Sequence, residues 1–246
     1  MDDDGRRVAV LTTIRTVVTT GSTNADVIAL ARAGAEEGLW LRAEAQSSGR
    51  GRQGRDWASP PGNLYASTLV RLRPSDPPPA TLALVAAVAL DAAVRVWLDD
   101  RIPLKIKWPN DLLIGAAKLS GILLERADDA VVIGFGVNLA FHPDLPDRPT
   151  TSLAAHGAVV GAGDFLEALA EGFSRWLGKW RGEGLAPIRS RWMERAHAPG
   201  TALDVRLPDG STQHGLFDRL DADGALILRL ADGTTRVIHA ADVFLL

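Results

Sequence analysis

The sequence predicts an α+β protein in which a mixed β-sheet is flanked by helices and followed by a small all-β unit. Three observations lead there. Strand-like and helix-like patterns alternate through the first three quarters of the chain, glycine- and proline-rich turns separate them, and past Pro199-Gly200 the helical spacing stops. At 246 residues, 46% hydrophobic and 23% charged, the chain has the size and composition of a globular protein with a sizeable core. The length suits a large unit with a small appendage, placed at residues 1–198 and 199–246.

Val8 to Val18 reads as a first strand. Gly21-Ser-Thr-Asn24 then supplies helix-capping side chains for an alanine-rich helix to about Ala33, which Gly34 stops. Leu39 to Ala45 is a short strand, and Gln46 to Gly62 is a polar, glycine-rich loop. From Leu64 to Leu72 the side chains alternate, with Leu64, Ala66, Val70 and Leu72 on one face and Tyr65, Ser67 and Arg71 on the other. The proline-rich stretch from Pro74 to Pro79 is an exposed connector, and Thr81 to Leu98 has helical length and spacing. Strands are expected at Leu104 to Trp108, Lys118 to Glu125 and Ala130 to Leu139. Asp164 with Glu167 resembles a capping box before an amphipathic helix whose aromatic residues, Phe165, Phe173, Trp176 and Trp180, belong to the core. Another helix runs from about Pro187, a good first residue, to Ala196. In the tail Leu203, Val205 and Leu207 alternate with Asp204 and Arg206, and Asp-Gly turns at Asp209, Asp223 and Asp232 mark hairpins.

Composition removes several classes of function. Cysteine is absent, which excludes a disulfide framework, a thiolate zinc site and a cysteine nucleophile. The start, Met1-Asp2-Asp3-Asp4, is acidic where a secretory signal is basic, and the longest apolar stretch carries Asp91 and Arg95, too charged for a membrane span. A cytoplasmic protein with no membrane partner is expected. The net charge of -3 argues against bulk nucleic-acid binding. Of the 27 basic residues only four are lysines, at 105, 107, 118 and 179, so two of the four fall in one short polar segment.

Three segments carry chemistry. Gly49-Arg-Gly-Arg-Gln-Gly-Arg55, followed by Asp56-Trp57, sets three guanidinium groups on a glycine-rich loop. Glycine lets backbone N–H groups approach an anion closely while each arginine offers a planar fork to carboxylate or phosphate. Taken alone, the tract also suits an RNA-binding Gly-Arg segment or a solvated loop. It is no P-loop, because no Gly-Lys-Ser/Thr closes it. Such a clamp has little of its own to pack against and is expected to be mobile until a ligand orders it. The second segment is Lys105-Ile-Lys-Trp-Pro-Asn-Asp111 with Lys118-Leu-Ser-Gly-Ile-Leu-Leu-Glu125, where a lysine heads an apolar strand. An ammonium there needs an anion, or else it snorkels from a strand edge. The third is Gly134-Phe-Gly-Val-Asn138, whose glycines mark close approach by a ligand or another backbone. It lacks the third glycine and following helix of a dinucleotide fingerprint. The five histidines form no ligand cluster and none is assigned a catalytic role.

In order, Gly21-Ser-Thr-Asn24, Gln46 through Arg50-Gly-Arg52-Gln-Gly-Arg55 to Trp57, Lys107-Trp-Pro-Asn-Asp111, Lys118-Leu-Ser-Gly-Ile-Leu124 and Gly134-Phe-Gly-Val-Asn138 resemble the signature series of biotin protein ligases. The likeness runs from about Val17 to Leu246. It implies a class II synthetase-like biotin/lipoate ligase core with a small SH3-like C-terminal β-barrel. It implies ATP and biotin as substrates, Mg2+ as metal, and biotinoyl-5'-AMP as intermediate. The acceptor is then a lysine in the biotin carboxyl carrier domain of acetyl-CoA carboxylase or a related carboxylase, and the ligase a monomer or homodimer. By the same resemblance Ser22, Thr23, Asn24 and Gln46 contact the biotin ring, Arg50, Gly51 and Arg52 close over biotin and phosphates, and Trp57 lies near the nucleotide. Lys118 bridges the biotin carboxylate and the α-phosphate, and Asp111 orients the acceptor amine or helps remove its proton. Gly121 and Ile122 line the biotin tail, and Asn138 and Arg219 lie on the nucleotide side. Phe135 departs from the family pattern and is expected to alter the adenylate pocket. The roughly 20 residues before Gly21 leave no room for the winged-helix domain of ligase-repressors, so no operator binding is expected. A lipoate or octanoate ligase or transferase is the alternative, and a non-catalytic RNA-binding protein the remote one.

Overall fold

Two β-sheets organise the fold in a computed structural model that describes residues 12–146 and 148–245. The first has seven strands: β1 (Thr13–Thr20), β2 (Leu39–Gln46), β3 (Leu64–Arg71), β4 (Leu104–Lys107), β5 (Asp111–Ile114), β6 (Ala117–Ala127) and β7 (Ala130–Val137). Their order is β1-β2-β3-β7-β6-β5-β4, with β1 and β2 parallel and every other pair antiparallel, so the sheet is mixed as expected. Residues 8–11 of the expected first strand lie outside the described residues.

Helix α1 (Thr23–Arg32) packs on one face of this sheet, where Val27 and Ala31 meet Leu41, Leu69 and Val132. Helices α2 (Leu82–Arg95), α3 (Ala162–Glu183) and α4 (Ala186–Arg195) cover the other face and enclose the main core. This explains β3. Its alternation suggests one solvent face, but it lies at the centre of a sheet covered on both sides, and Leu64 to Val70 are all buried. Helix α2 is apolar nearly all round because it lies between the sheet and the other two helices. Its buried Asp91 is held by Arg95 at 3.1 Å and, across to α4, by Arg195 at 3.5 Å.

Three local expectations are corrected. Ser22 does occupy the N-cap of α1, but its hydroxyl caps nothing, and Thr23 and Asn24 are the first helical residues with side chains turned elsewhere. Helix α3 begins two residues ahead of Asp164, with Gly161 as N-cap and no side-chain cap, so the Asp164/Glu167 capping box does not form. Asp164 instead sits in the first turn, where a carboxylate favours the positive end of the helix dipole. Pro187 is the second rather than the first residue of α4. Strand β5 is the element that the periodicity missed, being only four residues long and directly after the Pro-Asn turn.

The second sheet holds β8 (Ala202–Arg206), β9 (Thr212–Leu220), β10 (Leu226–Arg229), β11 (Thr235–Ile238) and β12 (Asp242–Leu245) in the order β11-β10-β9-β8-β12, all antiparallel. This is the expected chain of hairpins, with Gly210, Gly224 and Gly233 at positive φ in its turns. It is a five-stranded sheet with β11 and β12 at its two edges, not a closed barrel among the described residues. The edge β12 faces the first sheet, and that placement builds part of the site described next.

Candidate active site

Three glycines on adjacent strands make the floor of a cavity. Gly121 on β6 pairs with Gly136 on β7, and Gly134 lies two residues before Gly136 on the same face. A Cβ on Gly136 would sit 2.5 Å from the Trp57 indole, and one on Gly134 would sit 2.2 Å from Asn24 Oδ1. The close approach expected of these glycines is thus made by two side chains of the chain itself. Phe135 between them points to the opposite face, where its ring packs against Trp40 and Phe173, so its bulk is absorbed by the core.

The charges converge above this floor. Lys118 Nζ lies 2.6 Å from Asp111 Oδ1, and Lys107 Nζ lies 3.3 Å from Oδ2. Burial opposes the charge on Asp111, but the two ammonium groups outweigh it and hold the carboxyl below the usual carboxylate range. Burial likewise pulls Lys107 below the ordinary lysine value, with Asp111 opposing. The Lys118 ammonium also lies 5.5 Å from the centroid of the Trp57 ring.

The glycine-arginine loop is ordered by its own backbone. Trp57 N–H donates to the Gly49 carbonyl at 2.9 Å and Gly51 N–H to the Arg55 carbonyl at 2.7 Å. Gly49 is required here, because a Cβ would lie 2.5 Å from the Trp57 carbonyl oxygen. The loop also has a partner, contrary to expectation. Arg52 donates to the Ala241 carbonyl at 3.2 Å, and Arg55 meets the Asp242 carboxylate at 2.5 Å. Lys107 donates to the Val243 carbonyl at 2.8 Å, so cations satisfy the edge of β12 that no strand covers.

A cavity of about 270 Å³ joins these groups. Ser22, Thr23, Asn24 and Gln46 line one end, Arg50, Gly51, Arg52 and Trp57 the loop side, and Asp111, Lys118, Gly121, Ile122 and Asn138 the sheet side. Asn138 is buried and spends its Nδ2 on the Thr151 carbonyl at 2.9 Å. Arg219 is the expected site residue that does not join them. Its side chain is 61% exposed on β9 and pairs with the adjacent Asp218. The part of the second sheet that reaches the cavity is β12, through Asp242, Val243 and Phe244, because β12 is its edge next to the first sheet.

Comparison with known proteins fits this site. Residues 20–138 match the biotin/lipoate A/B protein ligase family, and residues 204–246 match the biotin protein ligase C-terminal domain. A biotin–[acetyl-CoA-carboxylase] ligase of Paracoccus denitrificans is 41% identical over 236 residues, spanning 92% of this chain and 97% of that one. The chain belongs to the biotin protein ligase family. The ligase of the same name from Mycobacterium tuberculosis is 34% identical, over 92% of this chain and 86% of its own. Among solved structures, the Aquifex aeolicus biotin protein ligase in complex with biotin and ATP superposes with a TM-score of 0.82, covering 96% of this chain and 99% of that one, at 22% identity. That likeness establishes the biotin protein ligase fold, including the mixed sheet flanked by helices.

Several residues of this ligase site escaped sequence reasoning. Lys107 and Asn110 lie inside a recognised motif, and Asn110 accepts from Arg52 at 3.4 Å. Arg148 and Asp242 lie far from any motif, and no local signal marks either one. Ser67 was visible only as part of a strand and Glu125 only as the last residue of the Lys118 segment, yet both touch Asn24.

Proposed function

We propose that the chain joins biotin to a lysine of a biotin carboxyl carrier domain, in acetyl-CoA carboxylase or a related carboxylase, by way of biotinoyl-5'-AMP. What carries the proposal is the convergence of Lys118 with Arg50 and Arg52 on one cavity whose far end is lined by Thr23, Asn24 and Gln46. We assign residues 1–198 to catalysis and 199–246 to an appendage that supports the loop through β12.

In the first step a carboxylate oxygen attacks the α-phosphorus of ATP and pyrophosphate leaves. Two anions meet, so preorganised cations lower the barrier most. Lys118 is placed to face both, held by Asp111 at 2.6 Å rather than free to snorkel. Arg50 and Arg52 neutralise the phosphates from the loop, and Trp57 shields the reacting centre from water. Ser22, Thr23, Asn24 and Gln46 receive the polar ring, while Gly121 and Ile122 border the aliphatic tail and Asn138 the nucleotide side. In the second step the neutral amine of the acceptor lysine attacks the mixed anhydride carbonyl and AMP leaves. A carboxylate held below its usual range accepts protons weakly, so Asp111 acts by orienting Lys118 and the incoming amine rather than as a strong base.

Magnesium fits this chain as a passenger of ATP. Among the described residues no cluster of three acidic or histidine side chains is placed to hold a metal, and Asp111 is already held by two ammonium groups. Phosphate oxygens and water are the natural ligands of such an ion. It supplies charge neutralisation on the phosphates. Among the described residues no helix is long and apolar enough to cross a membrane, which suits an enzyme acting on soluble substrates.

The test is ATP- and biotin-dependent labelling of a carrier domain, with Lys118→Ala and Arg52→Ala measured alongside. Loss of labelling in both variants, with wild type active, is expected. A folded wild-type chain that forms no adenylate overturns the proposal. A lipoate-type substrate is disfavoured because a dithiolane ring has no acceptor for the Gln46 Nε2 proton that the bond to Ser59 leaves over.

A further inference from the structure

The hydrogen bonds at that end of the cavity have a direction. Asn24 Nδ2 lies 2.7 Å from Glu125 Oε2 and 3.5 Å from the Leu123 carbonyl oxygen. A carboxylate and a carbonyl only accept, so both amide protons of Asn24 point that way and Oδ1 faces the Ser67 hydroxyl at 2.6 Å. Ser67 Oγ has one proton, and Asn24 Oδ1 has none to give, so the proton of Ser67 goes there. The other short contact of Ser67 Oγ, 2.7 Å to Thr23 Oγ1, therefore calls on the proton of Thr23, whose second acceptor within reach is Gln46 Oε1 at 3.1 Å. With that proton spent, Thr23 Oγ1 has only lone pairs left to offer.

Gln46 is pinned from the opposite side. The main-chain N–H of Thr23 donates to Gln46 Oε1 at 2.8 Å, a contact that cannot be reversed. Gln46 Nε2 donates to Ser59 Oγ at 3.0 Å, whose own proton goes to the Trp57 carbonyl at 2.9 Å. One proton of Nε2 remains. The closed end of the cavity thus sets an obligate acceptor, Thr23 Oγ1, beside an obligate donor, Gln46 Nε2, which complements an N–H adjoining a C=O in a planar cyclic urea.

We propose that Ser67 and Glu125 are positioning residues that determine specificity for the ureido N–H by fixing the proton direction along Glu125, Asn24, Ser67 and Thr23. Neither needs to touch the substrate; Ser67 has no exposed surface. The proposal rests on biotin being the substrate and adds what selects it. If Glu125 no longer forces the Asn24 amide, the Leu123 carbonyl at 3.5 Å is the weaker hold that remains; the chain of protons can then reverse, and the Thr23 proton passes from Ser67 to Gln46 Oε1 or to an acceptor on the ligand. A ring lacking the N–H is then tolerated.

The experiment measures binding of biotin and of the two cyclic carbamate analogues, in which one or the other ureido N–H is replaced by oxygen, by calorimetry on the full chain. Glu125→Gln keeps the volume and hydrogen-bonding capacity but frees the polarity, and Ser67→Ala removes the link. In both variants the preference for biotin over the less tolerated carbamate is expected to fall about tenfold or more, as for a buried polar group that regains a partner. The KM for ATP and the melting temperature of Glu125→Gln stay near wild type. An unchanged preference in a folded variant overturns the proposal. So does a rise in the KM for ATP in step with that for biotin, because that pattern belongs to a general structural role. Failure of the wild-type chain to bind biotin overturns the substrate reading itself, a result distinguishable from either.

Discussion

Lys118 and Asp111 lie seven residues apart in sequence and meet at 2.6 Å across β5 and β6, in a cavity that Lys107 enters from the other side of the same carboxylate. Each group would be costly to bury alone. Together they leave a net positive charge under the guanidinium groups of the loop. Lys118→Ala is expected to slow adenylate formation by about 10²- to 10³-fold, the usual loss on removing one preorganised group that stabilises developing charge. Pyrophosphate exchange measures it, and a fall of less than about tenfold would remove Lys118 from the reaction.

Asp111 also makes stability depend on pH. Its folded carboxyl lies below the ordinary range, so its contribution is present above an unfolded pKa of roughly 3.9 and is lost as pH falls through the lower folded value. Asp111→Asn breaks a buried ion pair and is expected to cost about 3 kcal/mol at neutral pH. The gap in melting temperature between wild type and variant then narrows towards pH 3. A gap that is constant from pH 7 to pH 3 would contradict this.

Tyr65 is the only tyrosine in the chain, which gives a clean optical probe. Its hydroxyl donates to the Pro60 carbonyl at 2.7 Å, and burial pushes its pKa up to about 12. Because the folded value exceeds the unfolded one, the stabilisation is complete below about pH 10 and disappears as pH rises through the folded value. Absorbance of tyrosinate should appear near pH 12 in the native protein and near pH 10 in guanidinium chloride. Ionisation near 10 in both states would show that the ring is accessible.

Glycines separate into two kinds that alanine distinguishes. Gly136→Ala and Gly134→Ala drive a methyl into Trp57 and Asn24, and are expected to cost about 1–3 kcal/mol and to weaken biotin binding. Gly178 in α3 faces open space, and Gly178→Ala should instead add about 1 kcal/mol through helix propensity without touching activity. Thermal melts with binding titrations decide; equal effects at the two kinds of site would refute the assignment.

Asp242 holds the loop through Arg52, 3.7 Å away, and Arg55, 2.5 Å away. Asp242→Ala should raise the rate of proteolytic cutting within residues 47–60 by about tenfold, equivalent to about 1.4 kcal/mol of lost anchoring. Cutting that is unchanged would mean that the internal backbone bonds of the loop hold it without β12.

The sequence by itself determined what depends on contiguous residues. Turns, amphipathic helices and the Asp-Gly hairpins follow from local spacing, and the chemistry of the Gly-Arg loop and of the Lys-Trp-Pro-Asn-Asp segment is written in adjacent positions because one turn must present several groups at once. The glycines of β7 announced a close approach from their position in a strand. Only the tertiary structure decided which partner arrives. Trp57 and Asn24 fill the space over Gly136 and Gly134, β12 rather than Arg219 reaches the cavity, and Ser67 and Glu125 join Asn24 across 43 and 101 residues of chain. Those outcomes depend on how sheets and helices pack over long separations. An exposed arginine on one strand and an anchoring carboxylate on another look alike until the sheet edge that faces the core is known.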